Sequence, residues 1–142
     1  MKHYEASQTI NGSNGELWID NEYIAQITGL EAKVTVEKAE VVQVGKRSKG
    51  YKNIGMEGKG TIKMNKVDSF FIKKLSDAFK KGKTPTSTII TKLSDPDAAG
   101  TERIKLTGCT FDELTLANWE ARKIGEESIP FSFEDWEIIE SI

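Results

Sequence analysis

Side chains that could perform chemistry are few in this 142-residue chain, which has one histidine and one cysteine. The histidine, His3, is the third residue of the chain. We therefore do not expect a buried Ser-His-Asp triad, a Cys-His dyad or a histidine metal site. Cys109 has no second cysteine for a disulfide and no evident activating base, so it is expected to be a small buried apolar residue. The sequence therefore predicts no catalytic residue, no metal site and no cofactor site.

Neighbouring acids are the remaining candidates for catalysis, because a glycosidase needs one carboxyl as acid and another as base. The pairs are Asp112/Glu113, Glu126/Glu127 and Glu134/Asp135. Neighbours on a β-strand point to opposite faces of the sheet, so the two members of a pair would not share a pocket. We therefore expect surface acids, and a small hydrolase is the least favoured class of function.

The glycine-rich stretch 55–60 and the three tryptophans could in principle bind ligands. The glycines lack the spacing of a phosphate-binding loop, so they are expected to serve bulges or close packing between strands. Trp18, Trp119 and Trp136 could stack on bases or sugars, but such residues more often fill a core or an interface. Binding or assembly is thus expected in place of catalysis.

Charge is divided unevenly along the chain, although the net charge is only -2. Residues 43–83 hold twelve Lys or Arg against three acids, which is +9, so the remainder carries -11. Three interpretations stay open at this point. The basic stretch could bind nucleic acid, it could meet the acidic surface of a second copy, or it could be a solvated and merely uneven surface.

The elements that must position these residues are mostly strands, and the length fits a single domain. Residues 1–15 are polar and aperiodic, which predicts a loose N-terminal arm before a β-rich domain at 16–142. A change in the phase of the apolar residues within 102–117 predicts a bulge. The predicted strands cover 16–19, 23–27, 30–44, 54–64, 86–93, 102–107, 109–117 and 127–139.

Two further elements stand out from this strand pattern. Residues 45–53 are basic and bracketed by glycine, which predicts a long hairpin whose charged loop projects beyond the domain. Apolar residues from Val67 to Phe79 recur at helical spacing, with Asp68 as the expected N-cap and Gly82 just beyond the C-terminus. The fold class is therefore mainly β (α+β), a β-sandwich or barrel with one flanking amphipathic helix.

Signals for export and membrane insertion are missing from the sequence pattern. The first residues lack the apolar region of a signal peptide, and no run approaches the length that crosses a bilayer. We therefore expect a protein made in a reducing cytoplasm, without membrane anchoring.

The C-terminal half resembles a known family through two runs of residues, 108–120 (GCTFDELTLANWE) and 126–136 (EESIPFSFEDW). Together with the polar arm, the hairpin near Trp18 and the basic loop after Val44, they are similar to phage tail tube proteins. The class is that of contractile-tailed phages and phage-like particles of the PBSX prophage type. This resemblance covers nearly the whole chain and includes no catalytic motif.

The resemblance implies a fold akin to the type VI secretion tube and a non-enzymatic subunit of the inner tail tube. Six subunits would close a ring, rings would stack into a channel for DNA or for envelope penetration, and sheath, initiator and terminator proteins would be partners. The particle would be assembled in the bacterial host cytoplasm, and phage DNA would pass without specific binding. The residues implied at subunit or ring contacts are Lys46, Arg47, Lys49, Tyr51 and Lys52. The alternative is a nucleic-acid-binding module that uses residues 43–83.

Overall fold

A computed structural model describes residues 3–142, so Met1 and Lys2 of the predicted arm lie outside the described residues. The described residues form one eight-stranded antiparallel sheet and one α-helix, which agrees with the predicted mainly β class. Two short 3-10 helices, Ala6–Gln8 and Gly12–Asn14, precede the sheet. The other elements are β1 Gly15–Ile19, β2 Glu22–Tyr23, β3 Ile27–Val41, β4 Gly50–Asn65, α1 Phe70–Lys80, β5 Ser87–Ser94, β6 Thr101–Phe111, β7 Glu126–Phe133 and β8 Asp135–Glu140.

The sheet has the order β2-β1-β5-β6-β7-β4-β3, and β8 also pairs with β6. The first part of β6 pairs with β8 and its end pairs with β7, so β7 and β8 act as one long strand with a break at Glu134. Gly108 has a positive φ of 64°, and the Glu134 N–H donates to the Thr107 carbonyl at 3.1 Å. Both strands therefore bend at the same place, and the two halves of the sheet turn their apolar faces toward each other.

The core fills the space between these two halves and the helix. Phe131 lies at its centre, and Phe111 and Phe71 form an edge-to-face pair with ring centroids 5.2 Å apart. The buried apolar side chains are Leu17, Ile19, Ile24, Ile62, Met64, Phe71, Leu75, Ile89, Leu106, Cys109, Phe111, Ile129, Phe131 and Phe133. None of the three tryptophans is among them, so of the two expected roles, core or interface, only the interface role stays a prediction.

Two glycines of β4 allow aromatic rings to lie directly on the sheet. A Cβ atom at Gly58 would lie 2.6 Å from the Phe133 ring, and one at Gly60 would meet both the Phe131 ring and the Glu31 carbonyl oxygen, the latter at 2.5 Å. These distances are shorter than any ordinary contact between carbon atoms. The predicted use of these glycines for close packing is confirmed.

The first hairpin turns at Asp20 and Asn21, whose φ values are both positive (50° and 67°). The predicted turn is confirmed, since such residues tolerate the left-handed region in a two-residue turn. The predicted second strand, 23–27, is wrong in extent, because β2 ends at Tyr23. Ile24 is buried and donates its N–H to the Leu17 carbonyl at 3.0 Å, which is the last bond of this hairpin, and a turn at residues 25–26 then ends the extended run.

The helix begins later than its apolar pattern predicts. Ser69 is the N-cap residue and makes no side-chain cap, whereas the Asp68 carboxylate accepts the Phe70 N–H at 3.1 Å. Asp68 therefore satisfies one free N–H from just outside the helix, and the expectation that it is the N-cap residue was wrong. Val67 lies outside the helix and is exposed.

Helix α1 ends at Lys80, and Gly82 lies just beyond its C-terminus as predicted, with a φ of 69°. The Gly82 N–H donates to the Phe79 carbonyl at 3.2 Å, and the Lys83 N–H donates to the Ala78 carbonyl at 2.9 Å. These two bonds form a Schellman motif, which requires a left-handed residue and therefore favours glycine.

The predicted strand 109–117 ends at Phe111, and residues 112–125 have no regular structure. The Asp112 N–H still reaches the Pro130 carbonyl at 3.0 Å. Pro130 has no N–H to return, so the ladder between β6 and β7 cannot continue in the regular pattern. Leu114 nevertheless packs against the core.

Candidate assembly surface

The hairpin of β3 and β4 extends beyond the rest of the sheet. Its two strands pair from Ile27 and Met64 out to Val41 and Gly50, whereas β7 pairs with β4 only as far as Gly58. Residues 35–41 and 50–57 therefore form a two-stranded ribbon, which we call the outer ribbon. Eight residues at about 3.3 Å each give it a length of about 26 Å. A two-stranded ribbon is at best marginally stable in water by itself.

The five predicted contact residues lie together at the end of this ribbon. Lys46, Arg47 and Lys49 belong to the connection between the strands, and Tyr51 and Lys52 begin β4. All five are exposed. We call residues 42–53 the tip; it holds four basic residues and no acid, so its charge is +4.

The shape of the tip is set by a turn. Gly45 has a φ of 85°, and the Lys46 N–H donates to the Gln43 carbonyl at 3.2 Å. Lys49 reaches back to Glu40, with Nζ 3.4 Å from the carboxylate. The other basic side chains of the tip form no ion pair with the described residues.

Two apolar residues of the tip were not singled out by sequence reasoning. Val42 and Val44 continue the alternation of β3, and the predicted strand therefore included them, but β3 ends at Val41. Both side chains are exposed, as is Tyr51. The sequence signal that could have identified Val42 and Val44 is their position next to Gly45, a turn residue. Side chains at a hairpin turn have no third strand to cover them.

The rest of the basic stretch is scattered and partly neutralised. Four of its lysines outside the tip have acidic partners, at distances between 2.6 and 3.2 Å. These pairs are Lys59–Glu57, Lys66–Glu127, Lys74–Asp20 and Lys81–Asp77. Because these lysines lie on β4, on the segment after it and on α1, the structure does not favour a single nucleic-acid surface over residues 43–83.

Glu127 differs from the surface acid that the sequence predicts. It is only 8% exposed, and its Oε1 lies 2.7 Å from Lys66 Nζ. A carboxylate this deeply placed needs a partner, since an isolated buried charge is strongly destabilising. Lys66 follows directly on β4 and Glu127 is on β7, so the pair stabilises one end of the sheet.

Asp20 joins the first turn to the helix. Burial raises its pKa, but hydrogen bonds from Lys74 Nζ at 2.6 Å and from the Thr88 N–H at 3.0 Å outweigh burial, so the pKa lies below its ordinary value. The charged carboxylate is thus the form that the fold favours. This contact is structural, because it links a turn, a helix and a strand.

A second set of exposed apolar side chains lies at the end of the β3–β4 hairpin opposite the tip. Residues 112–125, which we call the base loop, connect β6 to β7. Its Gly125 carbonyl accepts the Lys66 N–H at 2.7 Å, one residue beyond the end of β4. Leu116, Trp119 and Ile124 are exposed, and Trp119 is 86% exposed. The expectation that Trp119 fills a core is wrong, and its role at an interface stays a prediction.

An apolar cleft of about 500 Å³ opens between β3 and the opposing half of the sheet. Ala32 and Val34 line one side, and Leu93, Ile104 and Trp136 line the other. Trp136 is 38% exposed at the mouth of this cleft. The cleft is continuous with the core, and its lining also includes two acids, Glu16 and Glu102.

Catalytic and metal chemistry find no support among residues 3–142. No group of three or more potential metal ligands occurs in this part of the chain. Burial raises the pKa of Cys109 to about 11, so its thiol is not activated. The Asp112 carboxylate accepts a hydrogen bond from the Ser132 hydroxyl, at 3.2 Å. Within the described residues, no helix is both long and apolar enough to span a membrane.

Comparison with known proteins decides between assembly and the other classes. A family model described as "Phage tail tube protein" matches residues 2–140. The chain belongs to this family. It is also 37% identical to the phage-like element PBSX protein XkdM of Bacillus subtilis (strain 168), over 97% of this chain and 95% of XkdM. The predicted resemblance is confirmed.

Solved structures of contractile injection systems share the fold of this tail tube family member. A chain in the cryo-EM structure of the anti-feeding prophage tube-terminating cap matches with a TM-score of 0.75, at 10% identity, over 99% of this chain and 97% of that one. A chain in the extended sheath–tube complex of the PVC extracellular contractile injection system matches with 0.71, at 11% identity, over 96% and 98%. The protein is therefore a tail tube-like structural component of a phage or phage-like particle.

Proposed function

We propose that this tail tube protein assembles into rings of six subunits, which stack into a tube with a central channel. The observation that carries the proposal is the outer ribbon, because it leaves an apolar face uncovered in the single subunit. Sheath, initiator and terminator proteins would complete the tail, and assembly would take place in the bacterial host cytoplasm. DNA would pass through the channel, or the tube would be driven into a target envelope.

The two faces of the hairpin differ sharply in chemistry. Val34, Val36 and Met56 continue the apolar face of the core outward, and all three are exposed. The other face has ion pairs within each strand, Lys33–Glu31 at 2.8 Å and Lys59–Glu57 at 3.2 Å. A polar face of this kind is stable in water, whereas a row of exposed apolar side chains indicates an interface. From the resemblance to tail tube proteins, we infer that neighbouring subunits cover this apolar face.

The tip extends this interface to the next subunit or ring. Its charge of +4 and its exposed Tyr51 and Val44 suit a contact with an acidic and partly apolar surface. Lys46, Arg47, Lys49 and Lys52 would form the charged part of the contact. The N-terminal arm would add to it, since the described arm residues are mostly exposed and hold few contacts beyond the Asn11 N–H to Asp95 bond of 2.8 Å.

Electron microscopy of the concentrated protein tests this proposal, with two adjacent substitutions as a matched pair. Val36→Glu places a charge on the apolar face, so it should abolish rings and tubes while leaving the circular dichroism spectrum unchanged. Thr35→Glu places the same charge on the polar face and should assemble normally. A Val36→Glu variant that assembles like the parent protein, or a parent protein that stays monomeric at every concentration, would contradict the proposal.

A further inference from the structure

Two exposed surfaces of this subunit lie at opposite ends of the same pair of strands. The tip, residues 42–53, is at one end of β3 and β4, and the base loop, residues 112–125, is at the other. We propose that the tip of one subunit docks on the base loop of another, so that subunits associate head to tail along the hairpin. This inference rests on the proposed tube assembly and identifies the acceptor surface for the tip.

Distance prevents the two surfaces from meeting within one chain. Strand β4 runs from Gly50 in the tip to Asn65 beside the base loop. Sixteen residues at about 3.3 Å each place its ends about 50 Å apart. A contact between the tip and the base loop must therefore join two copies. Because the two surfaces are different, each copy keeps one free surface of each kind, and the contact repeats in one direction.

Apolar side chains are exposed on both surfaces. Val42 and Val44 are exposed on the tip, and Leu116, Trp119 and Ile124 are exposed on the base loop. An irregular connection of fourteen residues inside a small domain is unusual and typical of a functional loop. Tryptophan is the residue type most enriched at the energetic centre of interfaces. Trp119 is therefore the expected anchor of the acceptor surface.

Charge makes the contact directional. The tip carries +4, whereas the base loop holds three acids against Arg122 and Lys123, a net charge of -1. Lys123 pairs with Glu120 at 3.1 Å, so the acids at the start of the loop, Asp112 and Glu113, are the ones without a basic partner among the described residues. Two tips would repel each other, and a tip and the first part of a base loop attract. Complementary charge of this kind selects the partner and its orientation.

Disulfide cross-linking tests the contact directly, because the native Cys109 is buried and does not interfere. A chain carrying Val44→Cys is mixed with a chain carrying Asn118→Cys, which leaves Trp119 in place, under assembly conditions and oxidised. We expect covalent dimers from this mixture and a ladder of higher species from one chain carrying both substitutions. The matched control replaces Asn118→Cys by Asp97→Cys, an exposed position in the loop after β5, and should give no more dimer than random collision.

Charge reversal gives a second and independent readout. Glu113→Lys with Glu120→Lys should lower the fraction of protein that sediments as tubes at low salt by about tenfold, and so should Lys46→Glu with Arg47→Glu. Reversing both sides in one chain should restore most of the loss. No restoration would count against a direct contact between these charges.

The outcomes separate this inference from the proposed function. If microscopy shows rings and tubes while the Val44–Asn118 cross-link stays at the control level, the tip docks elsewhere and head-to-tail docking on the base loop is overturned. If neither rings nor tubes form with the parent protein, the proposed function fails and the inference fails with it. Cross-linked dimers above control, together with charge rescue, support both.

Discussion

The close approach of Phe133 to Gly58 makes a quantitative prediction for stability. In Gly58→Ala the new methyl group would lie between 2.6 and 2.8 Å from three atoms of the Phe133 ring. Phe133 is buried, so a movement of its ring away from the new methyl group disturbs the packing that it makes in the core. Overpacking of this kind costs about 1–3 kcal/mol, and the smaller conformational freedom of alanine in the unfolded chain returns about 0.4–1 kcal/mol. We expect a net loss of about 1–2 kcal/mol.

Thermal or urea unfolding measures this loss, and a second substitution tests its cause. At this chain length 1 kcal/mol corresponds to about 3 °C in Tm, so Gly58→Ala should lower Tm by about 3–6 °C. Because all the close atoms belong to the Phe133 ring, Phe133→Leu should relieve the clash. The double-mutant cycle should show a coupling free energy of about 1 kcal/mol, with the double variant more stable than the sum of the single losses predicts.

Two further glycines serve as controls. Gly60→Ala meets the backbone carbonyl of Glu31 as well as the Phe131 ring, and no side-chain substitution can move that carbonyl. Phe131→Leu should therefore rescue Gly60→Ala only in part. Gly12→Ala meets no atom within 4 Å and should change stability by less than about 0.5 kcal/mol. A Gly58→Ala variant as stable as the parent, or one that Phe133→Leu fails to rescue, would refute the reasoning.

Three other predictions concern charges and the thiol. Lys66→Met should destabilise the fold by about 2 kcal/mol in chemical unfolding, because it leaves the Glu127 carboxylate buried without its partner, and adding Glu127→Gln should recover most of that loss. Since the pKa of Asp20 is lowered in the folded state, the stability that this carboxylate contributes is present above about pH 4 and is lost as the pH falls below that value. The difference in Tm between the parent and Asp20→Asn should therefore shrink in acid. A difference that grows in acid would contradict the assignment. Cys109 should react with a thiol reagent at pH 8 only after denaturant is added, and rapid labelling of the folded protein would show that the site is open.

Local patterns predicted most of the elements correctly, because they depend on neighbours in sequence. Alternation along the second part of β4 and along β5, and the apolar stripe of α1, each identify the face that is buried. The strand predicted as half-buried from the alternation of β3 is wrong in its outer part, because Val34 and Val36 are exposed. Asp20, Asn21 and Gly82 mark a turn and a helix end, since few residues accept their backbone conformation. The five predicted residues of the tip also lie together, because they are close in sequence and a hairpin must turn between two pairing strands.

Boundaries that depend on distant partners were predicted less well. The strand predicted at 109–117 stops at Phe111 because Pro130, nineteen residues after Phe111, has no N–H for the ladder. The predicted strand 127–139 breaks at Glu134, between β7 and β8. This break lies opposite Gly108, where β6 bends. Likewise, Glu127 has the pattern of a surface acid, and only the position of Lys66 shows why it is buried.

By itself the sequence predicted the mainly β class from its periodicity, and the runs 108–120 and 126–136 carried the resemblance to tail tube proteins, because both signals are local in the chain. Only the tertiary structure decided where these surfaces lie in relation to one another. It left the outer ribbon without a third strand, exposed Trp119, and separated the tip from the base loop by the length of β4. The physical reason is that exposure and distance follow from which strands pair, and pairing joins residues that are far apart in the chain.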